Sequence, residues 1–185
     1  MNQKNHSFDF SRYFRHIAVH LKDVAHSPIS FGEGQGVRKF HRVSGITQLE
    51  VLLHNLVLTT DDGYQLVIED NLDSRFLYNA ATLLDEQYYV FYVIKRCRVS
   101  DFDAIEQVKE GCKTVAKKIF SKLFRDHEAD WKMQSANTNG LRGFQKKSIT
   151  IQTIGPLADQ HWGLMCSFTI ADNPAIHYDP ADWLT

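Results

Sequence analysis

The sequence predicts one α+β domain, in which a largely antiparallel sheet carries helices packed mainly on one face. Three observations predict this class: an apolar strand at Tyr88–Ile94, an amphipathic helix after it, and two alternating strands near the C-terminus. A chain of 185 residues is long enough to bury its own core. We expect a single domain over 1–185, with an N-terminal helix at 8–26, a core at 37–171 and an extended tail at 172–185.

Short helices and strands alternate in the first part of the chain. Apolar residues recur at helical spacing from Phe8, and Ser7 or Asp9 can cap the first helix. That helix should end before Pro28, because the residue before a proline disfavours the helical conformation. The elements predicted here are, in order, a helix over 8–26, a strand over 37–43, a helix over 45–56, a strand over 66–68 and an irregular segment over 71–86.

The second part of the chain has the clearest periodicity. The strand Tyr88–Ile94 is apolar on both faces, which predicts a central strand covered on both sides. Ser100 opens a helix over 101–126, with Asp103 placed for a capping box. A polar loop over 136–143 follows. The alternating runs over 148–154 and 162–170, joined by a short Gly/Pro segment, predict a β-hairpin.

Aromatic side chains are abundant enough to raise the question of what covers the second face of the sheet. Besides the central strand, Trp162 and Phe168 lie on one face of the last strand, and the tail adds Trp183. Either the N-terminal helix packs on the second face of the sheet, or the aromatic residues on that face contact another protein.

Charge is distributed in blocks of alternating sign. The chain has 21 basic and 22 acidic side chains, and this balance excludes a generally basic nucleic-acid binder. Residues 1–60 and 90–149 carry net charges of +3 and +6, whereas 61–89 and 150–185 carry −6 and −4. Such blocks favour contact between copies of the chain, although solvated faces and acidic loops are the simpler interpretation.

Motifs for covalent chemistry are weak or missing in the sequence. There is no phosphate-binding loop and no nucleophile elbow, and the three cysteines lack the spacing of a zinc or redox site. We therefore predict a protein that is not an enzyme and holds no cofactor or metal. The alternative is a magnesium-dependent nuclease that uses Asp70, Glu86 and Lys95. No apolar run reaches about 18 residues, so we predict no membrane span.

Three segments together resemble the tail-terminator and neck proteins of tailed bacteriophages, including proteins of Bacteroidetes phages and prophages. The first is Leu66–Asp70 followed by Ser74–Phe76, and the second is the strand Tyr88–Ile94 running into a charged helix. The third is Ile154–Pro156 with Asp159, His161–Gly163 and Phe168–Ile170. The order of these segments and the Gly-Pro…Trp-Gly…Phe-Thr-Ile ending carry the resemblance.

The resemblance implies a virion structural protein that forms a ring, typically of six copies, at the junction of tail and neck. Such a ring ends the tail tube, contacts the tail-tube protein and the head-side connector, and lets DNA pass without sequence-specific contact. The ring would be assembled in the host cytoplasm, and the loops over 70–86 and 136–143 would be natural contacts. The residues that we predict at the interface between copies are Lys113, Lys117, Asp70, Arg75, Asp159 and Trp162.

Two other roles stay open at this point. A head-completion protein or another ring component of the virion would have the same general layout. A monomeric adaptor could instead use an aromatic face to bind a cellular partner.

Overall fold

Helices and strands alternate irregularly along the chain in the computed structural model. The model describes residues 8–27, 38–57, 63–79, 82–97, 100–132, 140–158 and 160–172. Within these ranges lie helix α1 (Phe10–His20), strand β1 (Phe40–Val43), helix α2 (Ile46–Val57), strands β2 (Gln65–Asn79) and β3 (Thr82–Arg96), helix α3 (Phe102–Lys132), and strands β4 (Phe144–Leu157) and β5 (His161–Asp172).

The five strands form one sheet in the order β1-β2-β3-β5-β4. Strand β1 runs parallel to β2, and every other neighbouring pair is antiparallel. The predicted α+β class is thus confirmed. The apolar run Tyr88–Ile94 lies in the central strand, and the two C-terminal strands pair as the predicted hairpin.

The helices divide unequally between the two faces of the sheet. Helices α1 and α3 pack on one face, and a large cluster of buried side chains lies between them and the sheet. Helix α2 packs on the other face, where Leu49 and Leu53 contact a smaller cluster that includes Tyr92 and Ile94. We call these the α1/α3 face and the α2 face. The suggestion that the N-terminal helix covers the second face is wrong, because α2 does so in part.

Most of the aromatic residues in the described ranges are buried or partly buried within the chain. Phe168 is fully buried on the α1/α3 face, where its ring centroid lies 5.4 Å from that of Tyr89 and 6.3 Å from that of Phe14. Trp162 is partly buried at the margin of the same cluster. The part of the α2 face beyond α2 carries polar pairs such as Thr150 with Ser167. The aromatic residues of the central strand, together with Trp162 and Phe168, are therefore buried or partly buried within the chain, and Trp183 with the rest of the tail beyond Asp172 lies outside the described residues.

Helix α1 is shorter than the predicted helix over 8–26. Asp9 caps its start by accepting a hydrogen bond from the Arg12 N–H at 2.9 Å, but the helix ends at His20. The chain then folds back in a turn that has Ala25 in the left-handed region, at φ 49°. Val24 is fully buried by this turn rather than by a continued helix. Val24 has the sequence spacing of a further helical turn, which is why the sequence predicts a longer helix.

Helix α3 begins and ends differently from the predicted helix over 101–126. Asp101 caps it, since the Ala104 N–H donates to its side chain at 2.9 Å. The helix continues to Lys132 because buried acidic residues extend its core stripe: Tyr13 donates to Asp126 at 2.8 Å, and the Leu141 N–H donates to Asp130 at 2.9 Å. A hydrophobic pattern misses this last part of the stripe because its members are charged.

Gly163 lies where β5 approaches the central strand most closely. It pairs with Ile94 on β3, and an added Cβ would lie far inside van der Waals contact with the Val93 carbonyl oxygen. We expect Gly163→Ala to lower the free energy of unfolding by about 3 kcal/mol, because backbone atoms cannot rotate away. Urea denaturation measures the effect.

Ser167→Ala is the matched control for this substitution. Ser167 lies on the same strand and face as Gly163. Its substitution should lower the free energy of unfolding by about 1 kcal/mol, the contribution of its hydrogen bond with Thr150. A Gly163→Ala protein as stable as the wild type would contradict the close approach of β3 and β5.

Candidate subunit-interface site

The segment predicted to be irregular over 71–86 is the end of a long β-hairpin. The pairing of β2 with β3 shifts register between Glu69 and Asp73. It then continues from the pair Asp73 and Tyr88 to the pair Asn79 and Thr82. We call residues 70–79 and 82–88 the arm. Strand β1 pairs with β2 only as far as Glu69, so no described strand pairs with the outer edge of the arm.

Two aromatic side chains stand exposed on the arm. Phe76 and Tyr78 are 59% and 77% exposed, and they lie two residues apart on one face of the hairpin. That face continues the α1/α3 face of the sheet, because Ser74 pairs with Gln87 and Leu66 pairs with Val93 in the same alternation. Exposed aromatic residues on a paired strand are typical of contact surfaces between proteins.

The arm is predominantly acidic. Its charged residues are four acidic and one basic: Asp70, Asp73, Asp85, Glu86 and Arg75.

The acidic groups of the arm differ in how they are held. Burial would raise the pKa of Glu86, but hydrogen bonds from Arg75 at 2.7 Å and Tyr88 at 3.1 Å outweigh it and lower that pKa. Further along the arm, in the row of Phe76, Asp85 pairs across the strands with Asp172, whose pKa is raised by burial and by the charge of Asp85. The arm therefore carries a net negative charge: Asp85 shares the face of the two aromatic rings, whereas Asp73 and Glu86 lie on the opposite face.

A surface of opposite charge lies where the end of α3 meets the start of β4. Its members are exposed aromatic or basic side chains: Trp131, Lys132, Arg142, Lys146 and Lys147. We call this group the basic patch. Lys146 ties the two elements together through an ion pair with Glu128 at 3.6 Å and a contact with the Phe124 ring at 5.5 Å. No acidic residue occurs in the sequence between Asp130 and Asp159.

The arm and the basic patch lie at opposite edges of the sheet, at the same height along the strands. Ser74 pairs with Gln87, Gln87 with Ile170, and Ile170 with Phe144. One row of the sheet thus runs from the outer edge of the arm to the start of β4, across three strand spacings or about 14 Å.

Two of the predicted interface residues, Asp70 and Arg75, lie on the arm. Asp70 is engaged by Arg42 of β1, and Arg75 by Glu86. Both are solvent-exposed, so these pairs contribute little to stability and can be exchanged for other partners.

Lys113 and Lys117 lie elsewhere, on the exposed side of α3 near its middle. Lys113 pairs within its own helix with Glu110 at 3.6 Å, and Lys117 is exposed. Their expected contact with acidic residues of another copy stays a prediction. Asp159 lies outside the described residues.

Trp162 has a structural environment in this chain. Its ring lies against Gly155, where an added Cβ would clash, and the Lys109 ammonium lies 5.3 Å from the ring centroid. The Gly-Pro and Trp-Gly pairs of the sequence thus meet at one end of the β4–β5 hairpin. This accounts for the two motifs together, as a packing requirement of that hairpin.

The alternative catalytic set does not assemble. Glu86 and Lys95 lie nine residues apart on the regular strand β3, which separates them by about 30 Å and puts them on opposite faces. Asp70 forms an ion pair with Arg42, and the Lys95 ammonium lies 5.0 Å from the Tyr64 ring centroid. Within the described ranges, no three His, Cys, Asp or Glu side chains are grouped to hold a metal ion.

No residue of the basic patch and neither arm aromatic was singled out from the sequence, although Phe76, Tyr78 and Arg142 fall within the segments 70–86 and 136–143 that the resemblance marks as contacts. The apolar run Phe76–Tyr78, with its two aromatic residues, could have indicated a strand, but the polar residues before it obscured the signal. The patch joins side chains about 15 positions apart in the sequence, so only the packing of α3 against β4 brings them together.

Comparison of the chain with protein-family models, curated proteins and solved structures gave no match. Among the helices of the described residues, none combines the length and the hydropathy needed to span a membrane.

Proposed function

We propose that this protein is a non-enzymatic virion subunit that assembles head to tail into a ring at the tail and neck junction of a phage. The observation that carries the proposal is the placement of an acidic, aromatic arm and a basic patch in one row on opposite edges of the sheet. Two different complementary surfaces on one chain make a head-to-tail contact, which closes into a ring when its rotation divides the circle.

The sequence resemblance supplies the biological setting of this ring. It points to six copies that end the tail tube and meet the head-side connector while DNA passes through the centre. A role in head completion would use the same assembly with a different neighbour. The two roles differ in whether the ring binds the tail-tube protein.

The proposal predicts the mass of the purified protein. We expect light scattering at rising concentration to give a multiple of the 21.3 kDa chain mass, with six the expected multiple. Negative-stain micrographs should show annular particles of that mass. Added tail-tube protein should form tubes capped at one end, and their length distribution should shorten as more of this protein is added.

A matched titration with bovine serum albumin controls for crowding in the tube assay. Rings that leave tube length unchanged but bind connector protein would assign the head-completion role. Protein that stays monomeric at high concentration, alone and with tube protein, would refute the ring.

A further inference from the structure

We infer that the arm of one copy docks on the basic patch of the next copy, with Phe76 and Tyr78 packing beside Trp131. This inference rests on the proposed ring and specifies its contact. The partner is a second copy of this chain because both halves of the contact are present on it, with opposite charge.

The arm and the basic patch are chemically complementary. The arm combines two exposed aromatic rings with a net negative charge, and the patch combines Trp131, which is 73% exposed, with four basic residues. Aromatic residues at the centre of an interface with charges around them are the arrangement from which most binding energy comes. Opposite charges add steering and specificity.

The arm and the basic patch also lie at the same height along the strands. Asp73 pairs with Tyr88, Tyr88 with Thr169, and Thr169 with Gln145, so Asp73 stands in the row that leads to Lys146 and Lys147. Near the tip, Phe76 stands in the row of Asp172, which adjoins Gly143 at the start of the patch. A contact between surfaces at equal height requires no rise along the strands, which favours a closed ring over a filament.

The strand directions of the two surfaces also match. Strand β4 runs opposite to β2 within one copy, so a neighbour rotated about an axis parallel to the strands, with its strands pointing the same way, places its arm antiparallel to β4. This continues the antiparallel alternation of the sheet. Both aromatic groups then lie on the same side, because Phe76 and the end of α3 belong to the α1/α3 face.

The experiment measures self-association of full-length variants by sedimentation velocity. We expect the double substitution Phe76→Ser with Tyr78→Ser, and separately Trp131→Ser, to weaken association by roughly 30-fold or more. Phe102→Ser is the matched control, since Phe102 is exposed at the opposite end of α3. Circular dichroism melting checks that each variant folds.

A charge exchange tests the direction of the contact. Asp73→Lys and Lys147→Glu should each weaken association by roughly fivefold. The two variants mixed, or both substitutions in one chain, should restore it, since each reversed surface then meets a reversed partner. Recovery by mixing occurs only if the two residues lie on opposite sides of one contact.

The results separate this inference from the proposed function. Wild-type protein that stays monomeric refutes the ring and the contact together. Wild-type rings that are unaffected by every arm and patch variant refute the contact alone. Rings that dissociate only with Lys113→Glu or Lys117→Glu place the contact on the middle of α3 and likewise overturn the inference.

Discussion

Phe168→Ala is expected to lower the free energy of unfolding by about 3–5 kcal/mol. Phe168 is fully buried at the centre of the α1/α3 cluster, where its ring centroid lies 5.4 Å from those of Tyr89 and Phe144 and 6.3 Å from that of Phe14. The side chain therefore joins β5 to β3, β4 and α1. Removing it leaves a cavity lined by large rings that cannot all move inward.

Chemical denaturation followed by tryptophan fluorescence measures this loss. Phe102→Ala is the control, because its ring is 80% exposed and its removal should change stability by less than about 0.5 kcal/mol. Equal losses in the two variants would contradict the placement of Phe168 at the centre of the core. A loss confined to Phe168→Ala would confirm that the C-terminal hairpin holds the domain together.

The elements with strong periodicity could be predicted from the sequence. Tyr88–Ile94 was identified as a central strand because only a strand covered on both faces tolerates apolar residues at every position. The hairpin β4–β5 was found from alternation in two runs around a Gly/Pro segment. Helix α3 was found from its core stripe, apart from the end that Asp126 and Asp130 extend.

The arm could not be predicted because its stability comes from pairing rather than from burial. Residues Asp70–Ser74 have low strand propensity, and their neighbours are exposed, so no local apolar pattern indicates the hairpin. Strand β2 nevertheless continues through these residues because it pairs with β3 on both sides of them, up to Glu69 with Val90 and again from Asp73 with Tyr88.

The charge blocks of the sequence resolve partly into local pairs. Lys113 with Glu110 and Lys109 with Glu106 lie within one helix, and Lys118 pairs with Asp23 beside it. Four residues of the acidic block, Asp70, Asp73, Asp85 and Glu86, nevertheless lie together on the arm. The interface hypothesis therefore shifts from the middle of α3 to the end of that helix, where Trp131 adds an apolar centre.

Acidification from pH 6.5 to pH 4 is expected to destabilise the protein through two buried histidines. Burial lowers the pKa of His41 to about 4, although its hydrogen bond with Gln65 opposes the shift. Burial and the charge of Arg96 lower the pKa of His161 to about 4. Each histidine is neutral in the folded protein at a pH where the unfolded chain already binds a proton.

The sign of the effect follows from this difference in proton binding. The stability is fully present above the unfolded pKa of 6.5 and is lost as the pH falls towards 4. Each histidine accounts for up to about 3 kcal/mol of the loss. The lowered pKa of Glu86 adds to the loss at lower pH, whereas the raised pKa of Asp172 opposes it.

Urea denaturation at half-unit steps of pH measures how the free energy of unfolding changes with pH. Two variants assign this change to His41 and His161. His41→Gln keeps a donor for Gln65, and His161→Leu removes a buried imidazole. Each substitution should therefore lower the number of protons taken up on unfolding by up to one. His20→Gln, at an exposed histidine, tests whether the loss of any imidazole has this effect. Slopes that are equal in all four proteins would mean that both buried rings gain their protons without unfolding.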